Sequence, residues 1–279
     1  MTKTQHSKTR SKPKANPDSA VRLVFFNQTK RGQELMARSN ALLQDDIPKF
    51  VSNKKIRIEH LKKISPKTEN QQRMFEQYEE GYSLLAHGSA GTGKTFISLY
   101  LSLREILLRE SPYEKVVVVR SITPVHDIGF LPGTAEEKID VYQQPYKAIF
   151  QELFPLVDSP TEKLIEQNLY EFVPTSFIRG ITLHKSIIIM DEFSSATLHE
   201  NDSVISRLGD DCKIIFCGDL TQTDLQKRDD INGINKFMNI LKHVPEFRSI
   251  EFTSDDIVRG PLVKSYIMAK ERLEQYENK

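Results

Sequence analysis

Cysteine is nearly absent: the chain has two, Cys212 and Cys217, among 279 residues. They flank one apolar run, and an odd separation along a strand puts them on opposite faces, which disfavours a bridge between them. A disulfide-stapled scaffold is excluded, and a reducing, cytoplasmic setting is expected. No apolar stretch approaches the roughly 18 residues that a membrane span needs. The basic N-terminus lacks the apolar segment of a secretory signal. A net charge of only +1 argues against a globally basic nucleic-acid binder but leaves room for a local basic face. His126, His184 and His199 are scattered, with no cysteine or histidine at metal-ligand spacing, and read as ordinary polar residues. No internal repeat of about 20–50 residues is present, so a solenoid is excluded.

What remains is an ordinary globular balance, with 38% hydrophobic and 28% charged residues, and enough chain to bury a core. Residues 1–19 contain Lys3, Lys8, Arg10, Lys12 and Lys14 with Pro13 and Pro17 and almost nothing apolar. They read as a disordered basic tail; a solvated tail is the plainer reading and an arm touching nucleic acid the sharper one. Residues 20–64 form an accessory segment, with a strand expected over 21–26 and a helix over 33–44. From residue 65 to 279 the pattern becomes regular. Helices are expected at 70–80, 94–108 and 261–276, and strands at 83–86, 116–119, 187–190, 214–217 and 249–253. Short runs apolar on both faces, alternating with helices, predict an α/β fold with a mostly parallel sheet flanked by helices.

Gly88, Ser89, Ala90, Gly91, Thr92, Gly93, Lys94 and Thr95 fit the Walker A pattern in full, between an expected strand and an expected helix. The glycines permit a tight loop whose backbone N–H groups face phosphate oxygens. Lys94 would reach the β- and γ-phosphates of ATP, and the Thr95 hydroxyl would ligate magnesium. The helix N-terminus adds positive potential. The apolar run Ile187-Ile-Ile-Met-Asp191-Glu192 is the matching Walker B strand. Asp191 would hold magnesium directly or through water, and Glu192 would act as general base on the attacking water. A third strand ends in Gly218-Asp219-Leu-Thr-Gln222. Gln222 could orient water or sense the γ-phosphate; the plainer reading is a turn with an incidental glutamine.

The series Pro66-Lys-Thr-Glu-Asn70-Gln71, the glycine loop, Gly129-Phe-Leu-Pro-Gly133, Arg179-Gly180, Asp191-Glu192, Gly218-Asp219-Leu-Thr-Gln222 and Asp256-Ile-Val-Arg259 resembles the PhoH family. Glu136-Glu137-Lys138 and Tyr142 extend its most family-specific stretch. The family in turn resembles the RecA-like core of superfamily 1 helicases. The resemblance implies a RecA-like P-loop NTPase fold, ATP hydrolysis, and helicase-like remodelling of single-stranded RNA or DNA. It also implies that Gln71 reads adenine and that Arg259 is a finger on the γ-phosphate, plausibly a neighbour's, with Arg179 in the family's Arg-Gly element. Two departures concern coupling to nucleic acid rather than nucleotide chemistry. Arg120-Ser-Ile-Thr-Pro stands where the family usually shows Arg-Pro, and Phe193-Ser194-Ser195 stands where it usually carries Gln-Asn.

Residues 65–279 provide one lobe, whereas helicase motors place ATP between two. A second wall is therefore expected from another subunit, in a ring-like homo-oligomer such as a hexamer. Two other classes remain in view. One is a small-molecule phosphotransferase, against which a water-activating Glu192 argues. The other is a nucleotide-gated binding module with little turnover.

Overall fold

The computed structural model describes residues 55–122, 135–220 and 228–277. The expected tail, the elements expected at 21–26 and 33–44, residues 129–133, and Gln222 lie outside them. Helix α1 (Glu69–Glu79) starts where Thr68 accepts a hydrogen bond from the Gln71 backbone N–H, a side-chain N-cap. Strand β1 (Ser83–Gly88) runs into the glycine loop, and α2 (Lys94–Ile106) leaves it. Then come β2 (Lys115–Arg120), α3 (Ala135–Leu153), α4 (Pro160–Glu166) and β3 (Tyr170–Pro174). After them come β4 (Ser186–Asp191), α5 (Leu198–Ile205) and β5 (Cys212–Gly218). The chain continues through α6 (Arg228–Lys242), β6 (Phe247–Phe252) and α7 (Pro261–Glu277). No helix among the described residues is long and apolar enough to cross a membrane.

The six strands form one sheet in the order β3-β2-β4-β5-β1-β6, and every pairing is parallel. Parallel strands joined through helices are covered on both faces, which is why the four central ones read as unbroken apolar runs. Side chains alternate between two cores. Val116, Val118, Ile187, Ile189 and Cys217 face α1–α4 through Met74, Leu99, Phe150 and Leu164. Val117, Val119, Ile188, Met190 and Phe216 face α5 and α6 through Val204, Phe237 and Leu241. Cys212 packs against the second core and Cys217 lies in the first, so the two free thiols occupy opposite faces as their spacing predicts.

Two elements that the apolar pattern does not announce complete the sheet. Strand β3 pairs only with β2, at an edge, and ends on Pro174. An edge position tolerates a proline that a central strand would not. Helix α3 carries Pro145 in its interior, which breaks the helical signal in the sequence. Residues ahead of the expected domain boundary also join the first core. Ile56, Ile58 and Leu61 are buried there, and the Lys62 N–H donates to the Leu153 carbonyl at 2.7 Å.

The connections fix where a site can form. Strand β1 leads into α2 on one face, while its neighbour β5 leads into α6 on the other. The neighbours β2 and β4 diverge in the same way, into α3 and α5. Crevices open at the carboxyl ends of strands whose connections part like this.

Candidate active site

The glycine loop is shaped by its neighbours. At Gly88, φ is 110°, and a Cβ there would lie 2.0 Å from the Phe252 carbonyl oxygen. That oxygen accepts from the Ser89 N–H at 2.9 Å. Only glycine allows β6 to approach this closely. Gly91 (φ 73°) and Gly93 (φ 89°) are also left-handed, and the turn delivers Lys94 to the first position of α2. The Lys94 Nζ donates to the carbonyls of Gly88 and Ser89, each at 2.8 Å. Burial lowers its pKa below the ordinary lysine value, opposed by Asp219, Glu192 and Asp191. A buried ammonium held by loop carbonyls is a cation in search of anionic oxygens.

Opposite the loop, β4 ends at Asp191, which is buried. The Thr95 hydroxyl donates to Asp191 Oδ1 at 2.7 Å, and the Tyr146 hydroxyl donates to Oδ2 at 2.7 Å. The Arg120 guanidinium lies near the Tyr146 hydroxyl and Asp191 and interacts with both. Arg120 is the register partner of Asp191 across the β2–β4 pair.

Glu192 is held in a left-handed conformation, with φ 52° and ψ 42°. Such a conformation costs a non-glycine residue about 1 kcal/mol or more, and persists only where the surroundings enforce it. The Phe193 ring is buried against Phe216 and Phe237, and the Ser194 hydroxyl donates to the Asp219 carbonyl at 2.9 Å. The Asn201 amide donates to the Phe193 carbonyl at 3.1 Å. The Phe193-Ser194-Ser195 departure thus anchors the turn that presents Glu192. Burial raises the Glu192 pKa above the ordinary glutamate value, and neighbouring Asp191 adds to this, against Arg120 and Lys94. A half-buried carboxylate with a raised pKa is a better base.

Lys94, Thr95, Asp191 and Glu192 line one cavity of about 610 Å³, together with Gln71, Asp219 and Arg259. Gln71 is buried, with both ends of its amide engaged. Its Oε1 accepts from the Lys67 N–H and its Nε2 donates to the Thr92 carbonyl, each at 2.8 Å. In this structure it fastens the glycine loop to α1. Arg259 is exposed at the rim, and a Cβ on Gly91 would lie 2.9 Å from its Cγ. The Val258 N–H donates to the Gly91 carbonyl at 3.1 Å. Arg259 therefore sits against the loop of its own chain. Arg179 lies elsewhere, exposed beyond the end of β3. The structure also brings in groups not expected at the site: Tyr146, the Arg120 side chain, and a wall from Pro145 and Ile149 of α3.

The residues fit a magnesium–triphosphate. The loop opens α2, whose N-terminal N–H groups suit phosphate oxygens, and Thr95 and Asp191 are the hard oxygen donors magnesium takes. Among the described residues no cluster of three His, Cys, Asp or Glu is arranged to hold a metal. The ion would therefore depend on phosphate and water for its other ligands.

A glycine loop opening a helix, and an acidic strand end one strand away across a parallel sheet, define an α/β fold of the P-loop NTPase class. The family model described as PhoH-like protein matches residues 63–271, and the chain belongs to the PhoH family. It is 31% identical over 216 residues to the PhoH-like protein of Mycobacterium tuberculosis (strain H37Rv), covering 77% of this chain and 60% of that protein. It is 29% identical over 245 residues to the PhoH-like protein of Bacillus subtilis, covering 85% of this chain and 72% of that one. With Protein PhoH2 of Mycolicibacterium smegmatis it shares 31% identity over 178 residues, 63% of this chain and 39% of the relative. The match thus spans about three fifths of the mycobacterial PhoH-like protein.

Proposed function

We propose that this chain binds ATP with magnesium and hydrolyses it to ADP and phosphate. The observation that carries the proposal is the Thr95–Asp191 hydrogen bond at 2.7 Å, in the cavity that Lys94 and Glu192 also line. When bound, magnesium would draw charge from the β- and γ-phosphates. Lys94 would exchange its loop carbonyls for phosphate oxygens and offset charge that builds up in the transition state. Glu192 would take a proton from a water in line with the γ-phosphorus. The new phosphorus–oxygen bond forms as the bond to the bridging oxygen breaks, and ADP leaves with that electron pair. Arg259 at the rim would add a second cation from the same chain. The wall of α3 would exclude bulk water from one side.

We further propose that hydrolysis serves to remodel single-stranded RNA or DNA in the cytoplasm, as part of a homo-oligomer. This reading rests on the resemblance of the motifs to the family's helicase-like core. The test is phosphate release from ATP with magnesium and with EDTA, repeated with single-stranded RNA and DNA, alongside a solution mass. Folded protein that binds no nucleotide, or that binds it and releases no phosphate, would overturn the first proposal. Release indifferent to both nucleic acids would overturn the second.

A further inference from the structure

Asp191 differs from a simple strand-end acid in having both oxygens engaged inside the protein. Thr95 takes Oδ1, and Tyr146 takes Oδ2 from the opposite side, each at 2.7 Å. The torsion that turns a carboxylate about its own axis is broad and soft, so one hydrogen bond leaves its plane loosely defined. Two donors on opposite oxygens fix it. That matters for magnesium, which demands near-ideal octahedral angles and tolerates misaligned ligands poorly.

The second donor is built in firmly. Tyr146 is fully buried. Its ring packs on Phe172 of β3 with centroids 5.8 Å apart. The next turn of α3 carries Phe150, which meets Tyr170 edge-on at 4.7 Å. The Tyr146 hydroxyl donates to Asp191, and the nearby Arg120 guanidinium, which can only donate, leaves its proton one direction to point. Arg120 is carried by β2, whose register places it beside Asp191. The edge strand β3 and helix α3 therefore support a hydroxyl whose visible task is to aim a carboxylate.

Resting on the proposed function, we infer that Tyr146 is the positioning residue of the metal site. It sets the plane of the Asp191 carboxylate for magnesium, with Arg120 fixing the direction of its hydroxyl. Tyr146 touches neither nucleotide nor water in the reaction; it acts through Asp191. Its loss should therefore appear in the metal dependence of nucleotide binding, before any turnover is considered.

The experiment uses Tyr146→Phe, which keeps the ring and its packing and removes only the hydroxyl. Calorimetric titration with ATP is run on wild type and variant, across a magnesium series and in EDTA, with thermal unfolding as the check on folding. Lost outer partners of metal ligands cost about 10–100-fold in metal affinity. The expected result is a fall of about tenfold or more in apparent magnesium affinity, with ATP binding in EDTA unchanged within about twofold. Equal magnesium dependence in variant and wild type would overturn the inference. So would an equal loss with and without magnesium, which is what general loosening of the site would give. A wild type that binds no ATP would instead remove the proposed function, and this inference with it. If Tyr146→Phe unfolds, Arg120→Gln, which leaves Tyr146 in place, should show a smaller loss confined to the magnesium series; no such loss would be equally decisive against it.

Discussion

The Thr95 hydroxyl donates to Asp191 Oδ1 at 2.7 Å, joining the first turn of α2 to the end of β4 across 96 residues of chain. One strand, β5, lies between their two strands. That spacing brings the two side chains within direct hydrogen-bond reach. The consequences for nucleotide chemistry can be separated residue by residue.

Lys94→Ala removes the buried cation and should abolish detectable ATP binding. Glu192→Gln removes only the base. It should bind ATP as wild type does and release phosphate about 10²–10⁴-fold more slowly. Equilibrium binding and single-turnover hydrolysis check the pair, and a Glu192→Gln protein with wild-type turnover would dismiss the assigned role.

Glu192 also predicts two pH effects of known sign. Its raised pKa, caused first by burial and then by Asp191, moves the acid limb of hydrolysis above that of an ordinary glutamate. Activity should climb as pH rises through the raised value. For stability the direction is opposite. A carboxyl with a raised folded-state pKa contributes stability below its unfolded value and loses it as pH rises through the folded one. Glu192→Gln should therefore melt higher than wild type at neutral pH, and the difference should shrink toward the ordinary glutamate range. Melting curves across pH test this, and a Glu192→Gln protein that melts lower at neutral pH contradicts it.

Gln71 is expected from the family resemblance to read adenine, whereas here both ends of its amide hold backbone. Gln71→Ala strands the Lys67 N–H and the Thr92 carbonyl, at a cost of about 1–3 kcal/mol. The expected outcome is a lower melting temperature and weaker binding of ATP and GTP alike. Lost ATP preference with unchanged melting would restore base reading as its main task.

Arg259→Ala should slow hydrolysis strongly; arginine fingers elsewhere are worth ~10³–10⁵ in rate. Because Arg259 lies against its own Gly91, mixing Arg259→Ala with Lys94→Ala subunits should restore nothing. Recovered activity in verified mixed assemblies would place the arginine in a neighbour's site, as the ring expectation has it.

The strands that build the site were readable because burial on both faces leaves no polar position. The runs at 116–119 and 187–190 fall inside β2 and β4, and 214–217 inside β5. The glycine loop was readable because its chemistry is local. Strand β3 was not, since an edge strand with partly exposed Glu171 and Phe172 and a terminal proline carries little of that signal. Tyr146 was not readable for a different reason. On α3 it looks like one more core aromatic, and its task exists only through Asp191, 45 residues away. The contact of Arg259 with Gly91 was equally hidden, because it depends on how the loop after β6 folds back over the glycine loop.

The glycine loop is clasped from both ends of the domain. Gln71 of α1 holds Thr92, and Phe252 of β6 holds Ser89. Val258 holds Gly91, and Glu271 of α7 accepts from the Ser89 hydroxyl at 2.6 Å. During synthesis, a nascent chain grown as far as Cys217 would already carry the loop, Asp191 and Glu192, yet none of the downstream half of that clasp. Nucleotide cannot reward early folding of such a fragment as it would the finished domain. ATP should therefore shield the completed chain from proteolysis and leave the same chain stopped at Cys217 as vulnerable as before.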